Sequence, residues 1–273
     1  MNFYLLGYPL GHSVSPPMHN AAFKKLGMPH NYTLLEVQRE HLSRVINEKL
    51  RIAEFGGASV TIPHKIEVIQ YLDKLADSAM RAGAVNSIQH KNGMLIGHNT
   101  DALGGVSALT EKYGDISGST VVLLGAGGAA NALAAELAPK IGKIIILNRS
   151  MERAKDLANR LGENATYGPL DDQAVIETAD ILINATPVGM HPKTDASPVD
   201  PKRLRSDLMV YDIIYNPQKT QLLKDAEKAG ARTLGGLWML VYQGVEAFKI
   251  WTGVEPDADT MYNAALKALE GMH

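Results

Sequence analysis

Cysteine is absent from this chain of 273 residues. That one absence removes disulfide bridges, thiolate metal sites and a cysteine nucleophile together, and it fits a reducing compartment. An excess of either charge is missing too. Lys and Arg number 27 and Asp and Glu 29, for a net charge of −2, so no broad basic field invites nucleic acid, although a local pocket for an anion is compatible with that balance. No stretch approaches the roughly 18 apolar residues of a membrane helix. The start, Met1-Asn2-Phe3-Tyr4-Leu5-Leu6-Gly7, lacks a basic region followed by a signal-length apolar run. Fixed-period repeats and low-complexity tracts are lacking as well, which sets aside solenoids and disordered tails. His12, His64 and His98 are scattered without metal-ligand spacing. These absences predict a soluble, cytoplasmic protein with no nucleic-acid or membrane partner and no metal.

Hydrophobic residues make up 45% of the chain and charged residues 21%, as in ordinary globular proteins. The length suits one large domain or two modest ones. Strand patterns alternate with helix patterns throughout, which predicts parallel α/β units. In the first region strands are expected at 3–6, 32–37 and 58–61. Helices are expected after Ser15, a candidate N-cap preceding Pro16, with Gly27 as the stop, and again over 40–48 and from Pro63 onward. Lys91-Asn92-Gly93 lies between two β-like runs, and an Asn-Gly pair there is the strongest short hairpin signal. In the middle region strands are expected at 120–124, 143–147, 180–184, 209–213 and 232–234, with helices between them, a doubly wound nucleotide-binding pattern. A long helix over 237–252, closed by Gly253, and a last helix over 258–270 are expected to return to the first region. The expected division is a discontinuous domain of 1–101 plus 236–273 around a Rossmann-like domain of 102–235.

Gly125-Ala126-Gly127-Gly128-Ala129-Ala130 follows a strand and precedes a helix. The first glycine permits a tight turn and the second lets a pyrophosphate approach the backbone. The small last residue allows helix–strand packing, and the helix N-terminus favours negative charge. NAD sites place an acid about 20 residues further on to hold the ribose hydroxyls. Here the next strand ends in Asn148-Arg149-Ser150. Arginine offers a permanently charged fork to a 2′-phosphate, which an acid would repel, and the two neighbours add hydrogen bonds. NADP is the cofactor expected.

Other clusters point to a substrate. Ser13 and Ser15 set two hydroxyls at the mouth of a helix, where both can donate to one carboxylate. In Val60-Thr61-Ile62-Pro63-His64-Lys65, a helix opened by Pro63 puts Lys65 in its first turn, where the macrodipole disfavours a cation. Counting outward from the Asn92-Gly93 turn, Asn86 faces Asn99, and Asp101 lies diagonal to Asn86 on the same face. Asp101 can also cap the helix that begins near Ala102. Met239, Gln243 and Glu246 share one face of the long helix, and Tyr215-Asn216-Pro217 follows a strand at a position suited to a cleft edge.

Taken in order, these motifs resemble the shikimate dehydrogenase family from end to end. His12-Ser13-Val14-Ser15-Pro16, Val60 to Lys65, Gly83-Ala84-Val85-Asn86 and Asn99-Thr100-Asp101 match its substrate-domain motifs. Gly125 to Ala129, Asn148-Arg149-Ser150, Asn184-Ala185-Thr186-Pro187-Val188-Gly189-Met190 and Tyr215-Asn216-Pro217 match its NADP-domain motifs, and Met239 to Gln243 match the returning helix. The resemblance implies reversible NADPH-dependent reduction of 3-dehydroshikimate to shikimate, a step toward chorismate and the aromatic amino acids, by a monomer or homodimer. It implies that Ser13 and Ser15 hold the substrate carboxylate, and that Thr61, Lys65, Asn86, Asp101, Tyr215 and Gln243 line the ring hydroxyls and the reacting carbonyl. Lys65 and Asp101 are the implied catalytic pair. Thr186, Gly235 and Met239 are implied to border the nicotinamide. Three positions depart from the pattern: Ser59 stands where asparagine is common, Ser87 where threonine is usual, and Trp238 where a smaller residue is usual. Alternative readings are an enzyme of dual quinate/shikimate specificity and a non-catalytic NADP sensor of the same fold.

Overall fold

The computed structural model describes residues 1–11 and 13–271, so His12 lies outside the described residues. Two compact units emerge. One joins Met1–Thr100 to the stretch from Val241 onward, and the other is Asp101–Leu240. The bounds read from the sequence, after 101 and after 235, differ from these because Asp101, the first residue of a helix, and residues 236–240, the start of the long helix, group with the second unit.

In the first unit the chain forms β1 (Asn2–Gly7), α1 (Ser15–Lys25), β2 (Asn31–Glu36), α2 (Leu42–Val45), β3 (Phe55–Val60), β4 (Lys74–Leu75), α3 (Asp77–Ala82), β5 (Ser87–Lys91) and β6 (Met94–His98). The strands make one mixed sheet in the order β2-β1-β3-β5-β6-β4. β2, β1 and β3 run parallel, while β5 pairs antiparallel with both β3 and β6. Every residue of β3, Phe-Gly-Gly-Ala-Ser-Val, is buried, as a central strand covered on both faces requires. One face holds Leu6, Leu42, Ile46, Leu50, Phe55 and Val60. An aromatic group of Phe3, Phe23, Tyr32, Phe248 and Trp251 gathers around His19.

The hairpin has the register expected from its turn. Lys91 pairs with Met94 and Ser87 with His98, around Asn92 and Gly93 at φ 53° and 77°, both in the left-handed region a type I′ turn demands. α1 ends as Gly27 predicts. Gly27 has φ 64°, its N–H donates to the Lys24 carbonyl, and the Met28 N–H donates to the Phe23 carbonyl at 2.9 Å, which is a Schellman closure.

Two expectations fail locally. Ser15 is not the N-cap of α1 but its first residue; the cap is Val14, without a side-chain bond. Pro63 does not open an α-helix. The chain turns there and forms only a 3-10 segment, Glu67–Tyr71. The reason is visible in the Lys65 carbonyl, which accepts the Val85 N–H at 2.7 Å and so is taken by a tertiary bond. Lys65 therefore sits in a turn, and the helix-end field argued for it has no helix behind it.

The second unit contains α4 (Asp101–Tyr113), β7 (Thr120–Leu124), α5 (Gly128–Leu137), β8 (Lys143–Asn148), α6 (Met151–Leu161), β9 (Ala165–Pro169), β10 (Ile181–Asn184), β11 (Met209–Asp212), α7 (Gln221–Lys228) and β12 (Arg232–Gly235). The sheet order is β12-β11-β10-β7-β8-β9, and every neighbouring pair is parallel. In chain order that is the doubly wound 3-2-1-4-5-6 arrangement, whose switch point lies between β7 and β10. Val122, Leu124, Leu147, Leu182 and Val210 fill one side of it. β9 is an addition to the strands read from the sequence. Between β10 and β11 there is no α-helix, only a 3-10 turn at Pro201–Arg203, contrary to expectation.

The long helix α8 (Gly236–Thr252) begins in the second unit and ends in the first, where α9 (Ala258–Glu270) packs against α1. Among the described residues no helix is long and apolar enough to cross a membrane.

Candidate active site

The carboxyl ends of β7, β8 and β10 open onto a cleft of about 430 Å³ in the second unit. Its floor is Gly125-Ala126-Gly127. Gly125 has φ 111°, and a Cβ there would stand 2.9 Å from the Ala185 carbonyl oxygen, so the turn needs glycine for both reasons. Gly127 is different. It has ordinary φ −83° as the cap of α5, and a Cβ would meet no protein atom within 4 Å. The space beside it is open to whatever the cleft holds, directly over the N–H groups of a helix N-terminus.

One wall comes from the end of β8. Asn148 and Arg149 line the cleft, but Ser150 does not. The Ser150 hydroxyl accepts the Arg153 N–H as the cap of α6, and Asn148 Nδ2 donates to the Ser150 carbonyl at 3.0 Å. These two side chains brace the turn that presents Arg149. Two further cations line the same cleft, Arg153 from the first turn of α6 and Lys193 from the loop after β10, and no carboxylate does. The sequence reading missed both. Arg153 carried a signal, since it is a cation at the wrong end of a helix; Lys193, in an irregular loop, carried none.

The opposite wall is the segment Ala185-Thr186-Pro187-Val188-Gly189. Gly128, Ala129, Gly235 and Met239, also expected near the cofactor, are not among the cleft's lining residues. Gly128 and Ala129 begin α5 behind the floor. Gly235 ends β12. The thioether of Met239 lies against Gly105 of α4, 3.6 Å from where a Cβ would stand. Tyr215 follows β11 and is 46% exposed.

Most of the expected substrate-side residues belong to the first unit. Asn86 is buried there with Thr100 and Gln243. Its Oδ1 accepts the Thr100 N–H at 2.8 Å, and its Nδ2 donates to Thr100 Oγ1 at 3.1 Å and to Gln243 Oε1 at 3.4 Å. The Thr100 hydroxyl donates to the Gln243 carbonyl at 3.0 Å. The pairing of Ser87 with His98 sets Asn86 opposite Asn99, as counted from the turn, and Asn99 Nδ2 donates to the Ala84 carbonyl at 3.0 Å. The backbone ties Thr61 and Lys65 to the same place, because the Val60 N–H donates to the Asn86 carbonyl and the Val85 N–H to that of Lys65, each at 2.7 Å. Ser13 Oγ accepts the Ser15 N–H at 3.2 Å. With that lone pair engaged, the Ser13 hydroxyl proton is left to donate elsewhere. Asp101 opens α4 in the other unit, one residue after Thr100.

Of the three departures, Ser59 is buried on β3 beside Ser87. Ser87 Oγ accepts the Trp251 indole N–H at 3.0 Å, so it braces the aromatic group. Trp238 has the Lys112 ammonium over its ring at 3.5 Å, which fastens the start of α8 to the end of α4.

Family models match along the chain: a shikimate dehydrogenase substrate binding domain over residues 5–88, a shikimate / quinate 5-dehydrogenase domain over 107–219, and a shikimate 5′-dehydrogenase C-terminal domain over 236–266. A shikimate dehydrogenase (NADP(+)) of Methanocaldococcus jannaschii is 46% identical over 271 residues, covering 96% of this chain and 95% of that one. A solved shikimate dehydrogenase in complex with NADP+ superposes with a TM-score of 0.86 at 45% identity, covering 97% of this chain and 94% of the other. The Thermus thermophilus shikimate 5-dehydrogenase, solved with NADP(H) and shikimate, gives a TM-score of 0.85 at 35% identity, covering 98% and 99%.

Proposed function

The chain belongs to the shikimate dehydrogenase family, and from that premise we infer that it reversibly reduces 3-dehydroshikimate to shikimate with NADPH. The observation that carries the cofactor half of this reading is the cleft itself. A glycine turn and helix N-terminus suited to a pyrophosphate share it with Arg149, Arg153 and Lys193, and no acid stands where NAD sites place one. Three cations converging without a carboxylate repel one another until an anion arrives, and the 2′-phosphate of NADP supplies that charge. When bound, NADPH supplies the hydride.

The residues of the chain supply the remainder. The hydroxyls of Ser13 and Ser15 hold the substrate carboxylate. Thr61, Asn86, Tyr215 and Gln243 orient the ring through its hydroxyls. As the carbonyl is reduced, negative charge grows on its oxygen, and the Lys65 ammonium both stabilises that charge and donates the proton from Nζ. Asp101 accepts a hydrogen bond from the same hydroxyl and orients Lys65. The family and its substrate fit a cytoplasmic enzyme, acting as a monomer or homodimer.

Steady-state rates on shikimate and quinate, each with NADP and NAD, test this reading. The expectation is the highest kcat/KM for shikimate with NADP, and a cofactor preference cut about tenfold or more in Arg149→Ala, the scale of losing a charge-assisted bond to phosphate. A preference for quinate with NAD contradicts it.

A further inference from the structure

Asp212 is the last residue of β11 and fully buried, and it stands outside every motif named above. Both of its carboxylate oxygens face donors. Oδ1 accepts from Asn184 Nδ2 at 3.1 Å and from the Ile214 N–H at 3.1 Å, and Oδ2 accepts from the Thr220 hydroxyl at 2.7 Å. A carboxylate surrounded in this way can only accept. The atom of Asn184 turned toward it must therefore be the amide nitrogen, and the Asn184 oxygen must point the other way.

That direction matters for the cleft. Asn184 Oδ1 accepts the Thr186 N–H at 3.0 Å and the Thr186 hydroxyl at 2.7 Å. The Thr186 oxygen in turn accepts the Val188 N–H at 3.2 Å, while Asn184 Nδ2 also donates to the Val188 carbonyl at 3.3 Å. Two residues of that wall, Thr186 and Val188, are thus bonded to one side-chain amide. That amide is buried, and all four of its hydrogen-bonding positions are filled. Reversing it would set a donor against the Thr186 N–H and an acceptor against the Asp212 carboxylate and the Val188 carbonyl, breaking the bonds to all three. Thr220 is organised in the same way. By donating to Asp212 it keeps an oxygen lone pair for the Leu223 N–H, as the cap of α7.

We propose that Asp212 is a positioning residue for the cofactor. Its carboxylate fixes the orientation of the Asn184 amide, and through it the Thr186–Val188 wall of the dinucleotide cleft, without touching any ligand. The proposal rests on the reading of that cleft as the NADPH site.

Asp212→Leu is the direct test, because it keeps the size of the side chain while removing both acceptors, the one that faces the Asn184 amide included. NADPH binding is followed by nicotinamide fluorescence, shikimate KM by turnover, and folding by circular dichroism. The expected result is a folded protein whose NADPH Kd rises about tenfold, the scale of one broken buried hydrogen bond, with shikimate KM changed less than about twofold. Thr220→Val removes a hydrogen bond to the same carboxylate but leaves the amide oriented, and should move the NADPH Kd less than about threefold. Should Asp212→Leu fail to fold, Thr186→Val interrogates the same chain from its other end, with an expected severalfold rise. A folded Asp212→Leu that binds NADPH like the wild type overturns the proposal, as does an unchanged Kd in Thr186→Val or an equal weakening by Thr220→Val. Failure of the wild type itself to bind NADPH would instead overturn the reading of the cleft.

Discussion

At His19 the imidazole lies 4.4 Å from the Tyr32 ring and 5.2 Å from that of Trp251, centroid to centroid. Neither ring nitrogen has a hydrogen-bond partner among the described residues. Burial holds its pKa at about 3, far under the ordinary 6.5, because a charged ring there would lose its hydration with nothing to replace it. The unfolded chain binds the proton more readily than the folded one between those values. The sign follows: stability is fully present above pH 6.5 and is lost as pH falls toward 3. His19→Phe keeps a stacked ring and removes the titration. Denaturant midpoints measured between neutral and acid pH should fall less steeply in His19→Phe than in the wild type; parallel curves would show that this ring does not set the acid limb.

Helices and turns place the site, and two glycines there serve opposite purposes. A Cβ on Gly236, where β12 passes into α8, would stand 2.1 Å from the Ile213 carbonyl oxygen, whereas one on Gly127 would meet nothing within 4 Å. Gly236→Ala is therefore expected to cost about 3 kcal/mol in unfolding free energy, as overpacking against rigid backbone does. Gly127→Ala should leave stability within about 0.5 kcal/mol while raising the KM for NADPH. Chemical denaturation of the two variants separates them, and a destabilised Gly127→Ala with unaltered cofactor binding would remove the ligand-based reason for that glycine. Much at this scale was legible in the sequence, because it is local. The Gly27 stop, the Asn92-Gly93 hairpin with its register, and β7 running into the glycine turn all follow from backbone preferences of the residues themselves. What was not legible depended on distant partners. The helix expected from Pro63 loses to the tertiary bond between Val85 and Lys65. The strand β9 is an edge strand ending in Gly168 and Pro169, mostly off the core, and shows no alternating pattern to read.

Across the whole molecule, the chain's two units and the parallel sheet of the second were foreshadowed by the alternation of strands and helices. The motif set gave the candidate site its main residues. Lys193 and Asp212 escaped because one sits in an irregular loop and the other acts through a hydrogen-bond chain that exists only once β10 and β11 lie side by side. The catalytic proposal turns on the proton that Lys65 is to donate. The most direct test of it is the appearance of reduced-nicotinamide absorbance when shikimate and NADP are mixed with the wild type and with Lys65→Ala. The account predicts turnover in the wild type and a loss of about a hundredfold or more in the variant, the scale of a positioned acid–base group. Equal rates in the two proteins would contradict it.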